Sequence, residues 1–213
     1  MRASDACAAL LHAAAASCAS SFARSEHADI ADIATHPAIA PWRDAYRRFG
    51  VKPSKYRSSV ESLVRSALAQ SVHTVNPLVD LYNAVSLAHL LPCGGEDLDA
   101  TQGDIFLTRA DGGEQFTPLG TTQEQPARAG EVIYRDALGA LCRCWNWREA
   151  ERTKLTSVTR NAFLCIEALQ PMTERHVRAA CEELASHIRT TLGGVASIHV
   201  LGSDTLDIQI YAQ

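Results

Sequence analysis

The chain lacks the short motifs that identify many common enzymes. No GxGxxG follows a predicted strand, and P-loop, HExxH and GxSxG patterns are absent from its 213 residues. The seven cysteines include no CxxC pair, and the eight histidines never stand at the spacing of metal ligands. Cys142 or Cys144 would need a nearby base to act as a nucleophile, and the sequence names none. We therefore expect no metal, no cofactor and no conventional covalent mechanism.

Net positive charge and long apolar runs are also missing. Twenty basic and 24 acidic side chains give a net charge of −4, so the whole chain is not a general polyanion binder. No uninterrupted run of about 18 apolar residues occurs, so we expect no membrane span. The alanine-rich start has some features of a signal peptide, but Asp5 and His12 interrupt it, and a helix explains it better. Scattered cysteines, odd in number, indicate reduced thiols in a cytoplasmic protein.

Aromatic side chains are scarce, at 6% of the chain, yet two of the three tryptophans fall in one short stretch, 142–154. That stretch also carries Arg143, Arg148, Asn146 and Glu149. Large rings beside guanidinium donors suit a site that holds a planar or anionic ligand. In the alternative interpretation, Trp145 and Trp147 are core anchors and the charges form a solvated rim.

The hydrophobic pattern predicts helices first and strands later in the chain. We expect helices over 5–23, 41–49, 58–70, from Asn76-Pro77 to Pro92, and from Thr173 to Gly193, with a connecting region at 26–41. We expect strands over 104–109, 115–119, 131–135, 140–147 and 161–169, and a last hairpin of 197–201 with 205–211. The predicted fold class is α+β, a mostly antiparallel sheet flanked by helices. Residues 1–40 would be a helical extension, and 41–213 a single domain.

Three local features of this pattern suggest a site. In the strand 140–147, Arg143 and Trp145 would point to the same face. Glu167 lies in an otherwise apolar strand and needs a partner, either an arginine or a polar group of a ligand. The Gly94-Gly95 pair predicts either a plain polar turn or a loop in which a ligand approaches the backbone.

A basic segment runs from Arg43 to Arg65, with seven basic and two acidic side chains. Such a local surface suits a phosphate backbone, although a solvated helix face would have the same composition. The residues that we expect to contact RNA are Arg43, Arg47, Arg48, Lys52, Lys55 and Arg57.

Four stretches together resemble a known family. They are YRRFGVKPSKYRSSVESLVR, NPLVDLYNAVSLAHLLPCGGEDLDA, GDIFLTR and CRCWNWREAERTK, and the likeness runs in order from about Pro41 to Gly193. The chain is similar to free-standing members of the B-three/four domain family, the editing domain of the phenylalanyl-tRNA synthetase beta subunit. The resemblance implies that fold and a deacylase that removes a wrong amino acid from tRNA, acting in trans. The alternatives are a non-catalytic module that binds an amino acid or tRNA, and an unrelated small-metabolite enzyme on the same fold.

The resemblance also implies roles for residues. Gly94 stands where the synthetase domain has a histidine beside its pocket, and either Glu167 or Cys165 aligns with the acidic residue that reads the tyrosine hydroxyl. Glu167 and Asp97 would address the amino group or side chain, Arg143 and Arg148 the carbonyl or phosphate, and Trp145 would form a wall. The complete predicted set is Asn83, Gly94, Gly95, Asp97, Arg143, Trp145, Asn146, Arg148, Glu149, Thr153 and Glu167. The expected partners are aminoacylated tRNA and a free amino acid.

Overall fold

Helices occupy the first part of the chain and return near its end. The computed structural model describes residues 2–25 and 32–210, and all five helices predicted from the sequence are present. They are α1 (Ala3–Ala23), α2 (Ala40–Arg48), α3 (Ser59–Leu68), α4 (Pro77–His89) and α5 (Glu174–His187). Local signals set their ends: the Ser58 side chain caps α3, and Asn76 accepts a hydrogen bond from the Val79 amide at 3.0 Å to cap α4. Of the predicted connecting region 26–41, residues 26–31 lie outside the described residues.

Two antiparallel sheets follow the helices. The strands are β1 (Cys93–Asp97), β2 (Phe106–Arg109), β3 (Val132–Arg135), β4 (Ala140–Arg143), β5 (Arg148–Glu149) and β6 (Ala162–Ile166). β1 pairs with β6, and β2, β3, β4 and β5 form the second sheet in that order. The α+β class with antiparallel sheets is confirmed.

Three apolar clusters hold these elements together. The first joins α1, α2 and α3 around Leu11, Trp42 and Tyr46, and Trp145 and Trp147 pack against it. The second joins α4, β1 and α5, and a small third cluster around Phe116 and Ile133 supports the four-stranded sheet. The first two clusters meet along α4, and β1, which follows α4 in the chain, contacts the β4–β5 hairpin through the Gly95 amide and Glu149.

Helix α1 packs on the rest of the chain through Cys7, Leu11, Cys18 and Phe22, and its main contacts are with α4 and α3. By length and composition it could also cross a membrane, since 18 of its residues average a mean hydropathy of 1.4. The count of uninterrupted apolar residues did not detect this, and both a core helix and a signal sequence near the N-terminus meet the same test. The division of the chain at residue 40 stays a prediction.

The predicted loop at Gly94-Gly95 is wrong, because both glycines lie inside β1. A Cβ atom on Gly95 would stand 2.5 Å from Leu164 Cδ2 of β6. These glycines therefore permit close packing of two strands rather than a flexible turn.

The predicted strand 140–147 is also wrong in its second half. β4 ends at Arg143, and residues 144–147 form the turn of the β4–β5 hairpin. Of the predicted strand 115–119, only an isolated bridge between Pro118 and Ala150 forms, since proline has no amide to donate to a ladder.

The predicted C-terminal hairpin is reduced to one bridge, Gly202 with Thr205, and within residues 195–210 no strand ladder forms. Val195 and Leu206 are exposed there, so the alternating pattern has no core to cover. Residue 211, the predicted end of this hairpin, lies outside the described residues.

Candidate functional site

The β4–β5 turn has an unusual backbone conformation. Cys144 and Trp145 have φ of 48° and 67°, a left-handed region that bulky side chains rarely adopt. The Trp145 amide donates to the Val132 carbonyl at 2.6 Å, and its ring meets Trp42 edge-on at 5.1 Å. Such strain persists only where neighbouring contacts hold it, and it marks sites where side-chain direction matters.

This turn delivers two donors to Glu167. Trp145 Nε1 donates to Oε1 at 2.5 Å, and Asn146 Nδ2 donates to Oε2 at 2.7 Å. A third donor, the Tyr134 hydroxyl, reaches Oε1 at 2.6 Å. Glu167 thus has neutral partners, and the alternative that it pairs with an arginine is wrong. Burial raises the pKa of Glu167 although these hydrogen bonds oppose the shift.

A second carboxyl, Glu149, lies against the two glycines of β1. Its Oε1 accepts a hydrogen bond from the Gly95 amide at 3.5 Å, and a Cβ on Gly94 would stand 3.4 Å from the same oxygen. Burial raises the pKa of Glu149, against the opposing effects of the Gly95 amide and the Tyr82 hydroxyl. The predicted site residues Gly94, Gly95 and Glu149 are therefore neighbours.

A third carboxyl, Glu96, is 5% exposed and accepts a hydrogen bond from the Thr153 hydroxyl. Burial, followed by the nearby Glu149, raises its pKa well above the ordinary value. Burial first, and then the nearby Glu149, Glu96 and Glu167, raise the pKa of the Cys142 thiol, which lies among the three carboxyls. We call Glu96, Glu149 and Glu167 the carboxyl cluster. The cluster combines negative charge with an apolar setting, which favours protonation or a bound cation.

The thiols beside the cluster are not nucleophiles. Burial raises the pKa of Cys142 well above its ordinary range and that of Cys144 to about 12. Burial likewise raises the pKa of Cys93 and Cys165. All four are protonated at neutral pH, so none supplies a thiolate. Within residues 2–25 and 32–210, no group of three side chains has the arrangement of a metal site.

Arg143 does not share a face with Trp145. It is 4% exposed, its Nε and Nη2 donate to Glu131 at 2.8 and 2.6 Å, and its Nη1 donates to the Gln125 carbonyl at 2.8 Å. Arg143 therefore fixes the hairpin to the loop before β3. The prediction that it and Trp145 point together is wrong because the strand ends between them.

The other predicted contacts lie at the edges of the cluster. Arg148 is exposed, with its guanidinium carbon 6.0 Å from the Trp147 ring centre. Asp97 accepts hydrogen bonds from the Thr159 hydroxyl at 2.6 Å and the Asp99 amide at 3.0 Å. Asn83 is half-buried on α4, and its side chain forms no hydrogen bond with the described part of the chain.

The basic segment is partly neutralised. Glu61, fully buried, binds Arg43 at 2.8 Å and Arg65 at 3.0 Å, and Arg57 lies 3.9 Å away. Arg47 pairs with Asp44. The remaining predicted RNA contacts, Arg48, Lys52 and Lys55, are exposed and have no ion pair within the described ranges.

Sequence reasoning missed Tyr134, Tyr82, Tyr46 and Glu96. Tyr46 donates its hydroxyl proton to Asn146 Oδ1 at 2.9 Å and so orients that amide. Glu96 alternates with Gly94 in a strand that was read as a loop, so its inward direction was not expected. The three tyrosines reach Asn146, Glu149 and Glu167 from distant parts of the chain, and a single sequence carries no signal for such contacts.

Three carboxyls, Glu96 buried and Glu149 and Glu167 half-buried, predict how stability depends on pH. Glu149, Glu96 and Glu167 have pKa values above the ordinary 4.5, so the folded protein binds protons more tightly than the unfolded chain. The free energy of unfolding should therefore fall as pH rises above about 4.5, by up to about 1.4 kcal/mol per pH unit for each group between its two pKa values. Asp136 has a lowered pKa, so its titration changes the free energy of unfolding only below this pH range. Burial opposes that shift in pKa, but Arg152 and backbone amides outweigh it.

Urea titrations at a series of pH values check this. In the variant Glu149→Gln, the free energy of unfolding should fall less steeply with pH than in the wild type. One proton-binding group is gone, and Glu96 loses the like charge that raises its pKa. If the free energy of unfolding falls equally with pH in the two proteins, the pKa of Glu149 is not raised in the folded state.

A comparison with protein families identifies the fold. The model of the B3/4 domain matches residues 41–191, more than half of the chain. The chain belongs to the B3/4 domain family. This domain is found in the phenylalanyl-tRNA synthetase beta subunit, and the resemblance drawn from the sequence is confirmed. The match contains the carboxyl cluster and the β4–β5 turn. No curated protein matches the chain.

Proposed function

We propose that this B3/4 domain protein is an aminoacyl-tRNA deacylase that acts in trans on mischarged tRNA. Its family relates it to a tRNA synthetase subunit, which makes tRNA the expected substrate. The observation that carries the proposal is the carboxyl cluster beside Gly94 and Gly95. Such a cluster suits the α-amino group of an aminoacyl ester, which is a compact cation.

The amino group would take the place of a proton in the cluster. Without ligand, burial favours the neutral carboxyls, as the raised pKa of Glu149 and Glu167 indicates. An ammonium group lowers those pKa values again, so the carboxyl ionises and forms a charge-assisted hydrogen bond. The Gly95 amide and the Trp145, Asn146 and Tyr134 donors hold the two carboxyls in place for this contact.

Hydrolysis then needs an oriented water rather than a protein nucleophile. The ester between an amino acid and a ribose hydroxyl is already activated, and positioning supplies much of the acceleration in such reactions. A carboxylate of the cluster can accept a proton from the water while it attacks the carbonyl carbon, and can return that proton to the ribose oxygen as the ester C–O bond breaks. Arg148, exposed beside Trp147, can stabilise the developing oxyanion or a nearby phosphate.

A non-catalytic binding module is the second candidate. It is favoured by Gly94, which stands where the synthetase domain has a histidine, and by the protonated thiols around the cluster. Such a module would bind the same aminoacyl group without releasing it.

The test is incubation of the protein with a panel of mischarged tRNAs, followed by measurement of the released amino acid. The proposal expects release above the spontaneous rate for at least one amino acid. Tight binding of an aminoacyl-tRNA without release would support the second candidate instead. Neither binding nor release for any member of the panel would reject both.

A further inference from the structure

A cleft of about 480 Å³ opens beside the β4–β5 hairpin, and Glu167 is not among the residues that line it. Its walls come from the α2–α3 loop with Lys55 and Tyr56, from the loop before β3 with Gln125 and Arg128, and from the hairpin with Arg143 and Trp147. The volume falls within the roughly 300–1,000 Å³ range of small-ligand sites. We call it the basic cleft.

The free charge of the basic cleft is positive. Its lining contains three cations and no carboxylate. Arg143 is neutralised by Glu131, which is 3% exposed, so it contributes little net charge. Lys55 and Arg128 are exposed, and neither has an ion-pair partner among residues 2–25 and 32–210. The Lys55 ammonium lies 5.2 Å from the centre of the Tyr56 ring, a contact that leaves its charge, like that of Arg128, without a counter-ion in the described part of the chain.

The remaining walls are rigid and aromatic. Tyr56 meets the Trp147 ring edge-on at 4.7 Å, and both pack on the first apolar cluster. Arg143 ties the opposite wall to the hairpin through the Gln125 carbonyl, and its guanidinium carbon lies 5.6 Å from the Phe116 ring centre. Aromatic surface next to unpaired cations is the combination that holds an unpaired base and its phosphate.

We infer that the basic cleft binds an unpaired nucleotide of single-stranded RNA, with its phosphate between Lys55 and Arg128 and its base against Trp147, which the buried Tyr56 supports from behind. The inference rests on the proposed function, in which the occupant is the single-stranded 3′ end of the tRNA. The β4–β5 turn supplies Trp147 to this cleft and Trp145 and Asn146 to Glu167. One turn would thus connect the nucleotide to the amino acid that it carries.

The test measures fluorescence anisotropy of a labelled single-stranded RNA heptamer ending in CCA, with a blunt RNA duplex as the comparison. The double variant Lys55→Ala/Arg128→Ala should weaken heptamer binding about 10-fold or more at moderate salt. It should also reduce the slope of log affinity against log salt by about 0.7 for each lost phosphate contact. The matched control, Arg160→Ala/Arg175→Ala, removes two exposed arginines elsewhere and should leave both quantities unchanged.

The outcomes separate this inference from the proposed function. Equal binding of duplex and heptamer, or equal weakening by both double variants, would overturn the nucleotide site in favour of a diffuse charged surface. Heptamer binding that depends on Lys55 and Arg128, in a protein that releases no amino acid, would keep the cleft and reject the deacylase. Deacylation that is unaffected by Lys55→Ala/Arg128→Ala would reject the cleft and keep the deacylase.

Discussion

Replacing Glu149 with glutamine is expected to slow deacylation of the preferred mischarged tRNA by about 10- to 100-fold, the value of one charge-assisted hydrogen bond. Glutamine has the shape of the neutral glutamic acid that burial favours here, so the fold should be retained. What is lost is the ability to ionise when the amino group binds. Glu167→Gln should act in the same direction, because the same reasoning applies to its carboxyl. Single-turnover rates with saturating protein measure both effects.

The matched control is Glu174→Gln on α5. Glu174 is an exposed carboxylate that pairs with Arg178, and its replacement should leave the rate at the wild-type value. If Glu149→Gln, Glu167→Gln and Glu174→Gln all hydrolyse at the same rate, the carboxyl cluster does not read the substrate.

Replacing Arg143 with alanine is expected to lower the free energy of unfolding by about 3–5 kcal/mol. The side chain is buried, and its loss leaves the Glu131 carboxylate enclosed without a counter-charge. It also removes the hydrogen bond to the Gln125 carbonyl that fixes the loop before β3. Urea denaturation at neutral pH measures the change.

Two further variants complete this experiment. Arg148→Ala, five residues along the same hairpin but exposed, should change stability by less than about 1 kcal/mol. The pair Arg143→Met/Glu131→Gln should recover part of the loss, because no unpaired charge remains buried. Equal effects of Arg143→Ala and Arg148→Ala would show that the ion pair does not hold the hairpin.

Local signals in the sequence were sufficient for the helices. The Asn76-Pro77 pair predicted the start of α4, and the structure shows the Asn76 cap on the Val79 amide. The helix predicted over 41–49 is α2, and Gly50, with φ of 84°, lies just after its end. Capping and periodicity depend on residues a few positions apart, so one sequence contains them.

The predictions were wrong where contacts between residues far apart in the sequence determine the backbone conformation. Gly95 was read as a loop residue, but it is a glycine because Leu164, nearly seventy positions later, occupies the space of its side chain. The strand through Trp145 was extended too far, since no local rule places a tryptophan at positive φ. The hydrogen bonds from Trp145 and Asn146 to Glu167 stabilise a turn at 144–147, where the alternating pattern of the sequence had predicted a continuous strand.

The candidate site was predicted in part. Glu167 was selected because a carboxylate in an apolar strand needs a partner, and it does lie at the end of three hydrogen bonds. Its partner Tyr134 is 33 positions away and had no signal of its own. Arg143 was assigned to a ligand because the alternating pattern placed it on the face of Trp145, whereas Glu131 takes its charge. Composition thus located the stretch that matters but not the direction of each side chain.

The most direct test of the central claim compares one mischarged tRNA in two forms, with a free and with an N-acetylated α-amino group. Acetylation leaves the ester in place and removes the positive charge that the carboxyl cluster would bind. The account predicts rapid release of the free aminoacyl group and release of the acetylated one at close to the spontaneous rate. Equal release of both forms would contradict recognition of the amino group by Glu149 and Glu167.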